Sequence, residues 1–242
     1  MTSFHKVLIF ILLCSPVVAD DRVIYSIESR DNVTYAAGES DPYTGIYESS
    51  YPNQNIKQRV TFLDGRIDGT VTQYYENGNK EIEVHFSDGK NHGPENQWYK
   101  GGQIKLQINY SNGVMGGTQT EWHENGQIKL QVSIVNNKKD GLLTQWHADG
   151  WKVIESYHKN GKLHGLVTTW FDDGQKLTES NYKNGQKHGL YTRWFENGKR
   201  SIQGTYVDGK LEGDVTAWNE NGDVTTKAQY NKGVKILDNS SD

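Results

Sequence analysis

The sequence predicts an all-β protein: an elongated, single-layer antiparallel sheet of serial β-hairpins with a 24-residue period. Three observations predict it. Glycine recurs every 24 residues in two unbroken columns, Gly69 through Gly213 and Gly78 through Gly222. An aromatic column keeps the same period over seven units without insertion or deletion. The composition fits as well, with 26 glycines, 11% aromatics, only 4 prolines and a mean hydropathy of −0.80. That profile is too aromatic for disorder and too polar for one thick core. It suits short strands that each bury a single face.

Within each unit the first strand carries Tyr74, Trp98, Trp122, Trp146, Trp170, Trp194 and Trp218. Two residues earlier stand Thr72, Asn96, Thr120, Thr144, Thr168, Thr192 and Thr216, hence on the same strand face. By the same alternation, Thr168 and Trp170 share one face, and Val167, Thr169 and Phe171 share the other. The second strand places Ile82, Leu106, Leu130, Ile154 and Ile202 in register. Val84, Ile108 and Val132 follow two residues on, and then Phe86, Tyr110, Ile134, His158, Tyr182, Tyr206 and Tyr230. Polar residues such as Glu83, Gln107 and Glu155 lie between them. Each unit is therefore a hairpin with one apolar and one wet face.

Turns join these strands. Asn77-Gly78, Asn125-Gly126, Asn197-Gly198 and Asn221-Gly222 are expected to supply the positive φ angles of tight hairpins. Asp64-Gly65, Asp88-Gly89 and Asp208-Gly209 do the same between hairpins. In that third glycine column Asn137 is the one substitute, and asparagine tolerates the left-handed region best after glycine. Two strands per unit at about 4.8 Å give roughly 10 Å per repeat, and about 70 Å for seven units.

In chain order, residues 1–19 read as a signal peptide. Lys6 precedes the apolar run Val7–Leu13, too short to span a bilayer, and Val17-Val18-Ala19 suits cleavage. A buried strand is the alternative for this run, and lipidation at Cys14, the only cysteine, is a second one. Cleavage after Ala19 leaves a chain without thiols, and its charge moves from −4 to −5 because only Lys6 is lost. Residues 20–38 read as an irregular, strand-containing cap. Residues 39–62 are a decayed repeat in which Ser50 and Gln54 replace the aromatic and the turn glycine, as befits a terminal repeat. The array proper covers 63–233, and 234–242 reads as a disordered tail. The chain is thus expected to be exported, to the periplasm or outside the cell.

The pattern N-G-x7-Y-x-[DN]-G-K-x-x-G, as in Asn197 through Gly213, resembles the MORN-repeat family, most closely its bacterial variant. The resemblance covers roughly 39–233. It implies an elongated array that binds proteins or membrane lipids. The bacterial variant often bears an antitoxin-like label, which nothing in the sequence supports and which a signal peptide opposes.

Chemistry is sparse. His92, His164 and His188 share a column, but column neighbours roughly 10 Å apart cannot share a metal ion. Asp68, Asp140 and Glu212 replace histidine there, which suits a solvated turn position. Glu76, Glu124, Glu196 and Glu220 form a carboxylate row before the turn, again solvated. Repeats make groups periodic rather than convergent, so no catalytic residues, metal or cofactor are assigned. With acids and bases interspersed and no basic block, nucleic acid is not an expected partner. The sequons at Asn32, Asn109 and Asn239 read as coincidence.

The aromatics remain. The Trp column reads as packing, ring stacked on ring between repeats. The adjoining column, Tyr75, Tyr99, His123, His147, Phe171 and Phe195, points to the opposite face and reads as the binding surface. The expected function is a non-enzymatic scaffold for a protein partner at the cell envelope. The alternative is a carbohydrate- or lipid-binding surface built on the aromatic columns.

Overall fold

The computed structural model describes residues 22–238; residues 1–21, with the signal peptide expected over 1–19, and residues 239–242 lie outside the described residues. Among the described residues, 18 strands form one open sheet whose spatial order follows the chain. Val23–Ile24 pairs in parallel with Gly45–Ser50, and every later pair is antiparallel, ending at Val234–Asp238. A separate hairpin, Ile27–Arg30 with Val33–Ala36, folds over the first end. The tail expected from 234 is a strand as far as 238, because its backbone pairs with Val224–Asn231. The decayed repeat keeps the hairpin form in Gly45–Ser50 and Ile56–Leu63, with Gln54 at φ 70° where other units have glycine.

The turns between hairpins follow the sequence expectation, and those within hairpins do not. Between hairpins, both central residues have positive φ, as at Asp88 (47°) and Gly89 (72°). This is the twist-matched two-residue turn. Within hairpins, Gly78 (89°) is positive and Asn77 is not. There Tyr75 N–H donates to Asn79 O (2.8 Å) and Gly78 N–H to Tyr75 O (2.9 Å), a longer loop closed by one left-handed residue. Asn77 acts through its side chain instead. Its Oδ1 accepts from Asn79 N (3.2 Å) and its Nδ2 donates to Lys100 O of the next turn (2.9 Å). Asn125 and Asn197 repeat the outward bond to Ala148 O and Glu220 O. At the opposite edge the turn glycine donates backwards, as Gly89 N–H to Ile67 O (2.9 Å) and Gly209 N–H to Lys187 O (2.8 Å). Both edges are therefore fastened repeat to repeat.

Cross-strand partners fix the faces. Val71 opposes Val84, while Thr72 opposes Glu83. The aliphatic face holds the buried Val60, Ile108, Val132, Leu143, Val167 and Val215. The threonine column is buried on the other face, with Thr72, Thr144, Thr168 and Thr192 at 4–5% exposure. Trp98 lies on that second face: Lys80, ion-paired to Glu83, sits 5.6 Å over its ring, and Lys152, paired to Glu155, sits 5.5 Å over Trp170. The column tryptophans are half-buried, Trp98 and Trp170 beneath these pairs, rather than in the aliphatic core. The expected stacking of ring on ring does not occur. Ring pairs need centroids about 4.5–7 Å apart, and repeats about 10 Å apart exceed that. Ring pairs among the described residues include Tyr43–Phe62, His147–Trp151 and Tyr191–Tyr206.

The N-terminal cap has its own core of Ala36, Tyr43, Val60 and Phe62. Tyr43 is 1% exposed, and its hydroxyl donates to the carbonyls of Arg22 (2.7 Å) or Ile46 (2.9 Å).

His158 sits in the column that holds Tyr110, Tyr182, Tyr206 and Tyr230, with Phe86 and Ile134, and its Nδ1 is buried without a hydrogen-bond partner. Burial first, and the Lys139 charge second, hold its imidazole below the ordinary 6.5, with the Ser156 backbone opposing. The unfolded chain thus binds the proton more readily. Stability should be full above pH 6.5 and fall as pH drops from there through the lowered folded value. Melts from pH 8 to pH 5 should show a shallower loss for His158→Tyr; an unchanged slope would assign the effect elsewhere.

Candidate ligand groove on the hairpin edge

The residue after each Trp-column position opens the hairpin loop, and its side chain reaches towards the next repeat. Tyr75 Oη donates to Trp98 O (2.8 Å) and Tyr99 Oη to Trp122 O (2.7 Å). His123 Nε2 lies 3.0 Å from Trp146 O. Tyr51 begins the series by donating to Tyr74 O (2.7 Å). Sequence reasoning had passed over Tyr51, because Ser50 beside it marks the unit as decayed. Burial, and next the Glu81 charge, raise the Tyr75 hydroxyl above its ordinary value. Burial again leads at Tyr99, followed by Glu124 and Glu121. These three upstream candidates are engaged in fastening repeats through their polar tips.

The remaining three differ. His147 stacks on Trp151 at 4.3 Å and 9°, with Nδ1 3.3 Å from Asp149 Oδ2. Phe171 and Phe195 have no polar tip. Among the described residues, no side chain donates to the carbonyls of Trp194 and Trp218 ahead of them. Two adjoining hollows open here. One of about 500 Å³ is lined by Phe171, Trp194 and Phe195 with Arg193, Glu196 and Glu220. The other, about 330 Å³, shares Phe171 and Glu196 and adds Trp170, Asp172 and Asp173. The structure thus brings Phe171 and Phe195 to one groove and leaves Tyr75, Tyr99, His123 and His147 along the edge upstream.

The rim is acidic. The loop position after the second aromatic reads Glu76, Lys100, Glu124, Ala148, Asp172, Glu196 and Glu220. Asp172 completes the row, and the glutamate-only pattern had missed it.

At the opposite edge, His188 lies in the strand Gln186–Trp194 rather than in a turn, and its Nδ1 is 3.2 Å from Asp208 Oδ1 in the next turn. Two of its column mates do the same work: Asp68 Oδ2 accepts from Asp88 N (2.8 Å) and Glu212 Oε2 from Lys232 N (2.7 Å).

Five segments of the chain match the MORN repeat variant, at 67–88, 91–112, 115–136, 163–184 and 187–208. They fall on the 24-residue register. The unmatched unit between the third and fourth folds alike, as Lys138–Trp146 and Lys152–Lys159. No curated protein matches the chain.

Proposed function

Since the chain belongs to the MORN repeat variant family, a family of repeat scaffolds, we propose that it is an exported, non-enzymatic scaffold holding a protein partner at the cell envelope. One observation carries this reading. The polar side chains of the edges are periodic, and most fasten one repeat to the next, while the open groove at Phe171 and Phe195 is shallow and aromatic. Such a surface suits contact with another macromolecule better than convergence on a small reacting group. The acidic rim would repel an anionic lipid surface, which supports a protein partner over a membrane. Glycan co-sedimentation tests the carbohydrate alternative.

The test is affinity capture from envelope extract with the full exported chain, followed by co-elution of the recombinant pair in fixed stoichiometry. Recovery of a defined protein complex is expected. Sedimentation with glycan or liposomes and no protein complex would overturn the reading.

Export has its own measurement. The Val7–Leu13 run and the small residues to Ala19 place the mature start at Asp20. Intact mass of exported material should match that start. Retention of Met1, or a lipid on Cys14, would refute it.

A further inference from the structure

We infer that the Phe171–Phe195 groove receives a cationic side chain, arginine or lysine, from a basic segment of the partner protein. The inference rests on the scaffold reading above and assigns the chemistry of the partner. Three features coincide here. Upstream, Tyr51, Tyr75, Tyr99 and His123 tie the loop of one repeat to the Trp-column carbonyl of the next. Phe171 and Phe195 lack that tip, and hollows of about 500 and 330 Å³ open where the tie is missing. The acid row is broken upstream by Lys100 and Ala148, yet runs uninterrupted through Asp172, Glu196 and Glu220 beside these two rings.

Among the described residues, none of those three carboxylates forms an ion pair within the chain, and all three are exposed. Arg193 is the single cation in the lining, against Asp172, Asp173, Glu196 and Glu220. An exposed carboxylate alone binds weakly, and a bare phenyl face does not discriminate. Together they select a group with a long apolar stem and a positive head, which lays its stem on the ring and its charge among the acids. A guanidinium can also donate in-plane to carbonyl and carboxylate oxygens, so arginine is the better occupant. A phosphate or acidic peptide meets a lining of four carboxylates and one guanidinium, and is repelled on balance.

The probe is an acetylated, amidated Gly-Arg repeat octapeptide, titrated calorimetrically into the chain lacking residues 1–19, with Gly-Lys and Gly-Glu octapeptides alongside. The Gly-Arg peptide should bind, Gly-Lys more weakly, and Gly-Glu not at all. The variant F171Y/F195Y supplies the tip donor found upstream and should close the hollows while keeping the rings. D172N/E196Q/E220Q removes the charge without touching packing. Each should weaken binding by about tenfold or more. E76Q/E124Q, away from the groove, should change it by less than about twofold, and the melting temperature of F171Y/F195Y should not fall.

Absence of cationic-peptide binding, equal loss in E76Q/E124Q, or full affinity in F171Y/F195Y would each overturn the inference. The two readings fail differently. A partner captured equally by the wild-type chain and by F171Y/F195Y sinks the groove and leaves the scaffold standing. If neither chain captures any partner, the scaffold reading itself falls.

Discussion

Tyr43→Ala should lower stability by about 3–5 kcal/mol in denaturant melts, the range for truncating a buried aromatic. Tyr43 is 1% exposed and packs against Phe62, with ring centroids 6.1 Å apart. The cap hairpin and the first full repeats meet around it, with Ile24, Tyr47 and Val71 among the partly buried neighbours. Removal leaves a cavity whose walls are strands, which cannot collapse inward. Tyr43→Phe keeps the volume and loses only the donor to the carbonyls of Arg22 and Ile46, so about 1–3 kcal/mol is expected. A loss below about 1 kcal/mol for the alanine variant would mean that the cap does not fold as one body with the array.

The second large effect comes from a matched pair of glycines. Gly65 and Gly89 occupy equivalent turns with φ of 73° and 72°. A Cβ at Gly89 meets nothing within 4 Å, so Gly89→Ala should cost only the left-handed strain of about 1–2 kcal/mol. At Gly65 the same atom collides with Val33 Cγ1 and stands 2.8 Å from Thr34 O. The backbone there cannot retreat, because Gly65 N–H donates to Tyr43 O (2.7 Å) and Gly65 O accepts from Thr34 N (2.9 Å). Gly65→Ala should therefore cost a further 1–3 kcal/mol or so, as overpacking does. Chemical denaturation of the two variants side by side measures the difference directly. Equal losses would show that the hairpin over 27–36 does not press on that turn in solution.

Periodicity made the strands, the turns and the pairing order readable, since glycine at Gly78 or Gly89 answers a local backbone demand. Alternation also separated Thr168 and Trp170 from Val167 correctly. Which face forms the core was not readable. The uniform Trp column drew attention, while the true aliphatic columns are diluted by Ser156, Ser180 and Gly204 and look weak in sequence. The Asn-Gly pairs signalled a two-residue turn because that signal is strong locally. Their actual role, a bond to a turn 23 residues on, needs three-dimensional reach. Tyr43 repeats nowhere, so no column could reveal it. In the groove, Phe171 and Phe195 were legible as a pair. The meaning of their missing hydroxyl emerged only once Tyr75 and Tyr99 were seen to use theirs.

The edge bonds all span nearly one chain distance: Asn77 to Lys100 is 23 residues, and Gly89 to Ile67 is 22. That distance does not grow as units are added. Loop-closure entropy per repeat is therefore constant, and an array twice as long would fold by the same local steps rather than by ever longer searches. The same constancy makes the 24-residue unit interchangeable in length. Excising one whole unit between 67 and 208 restores the backbone ladder with a new partner, whereas deleting a single residue displaces one ladder and spares the rest. Such a chain can change its span, and with it the spacing of anything it carries, without redesigning its interior.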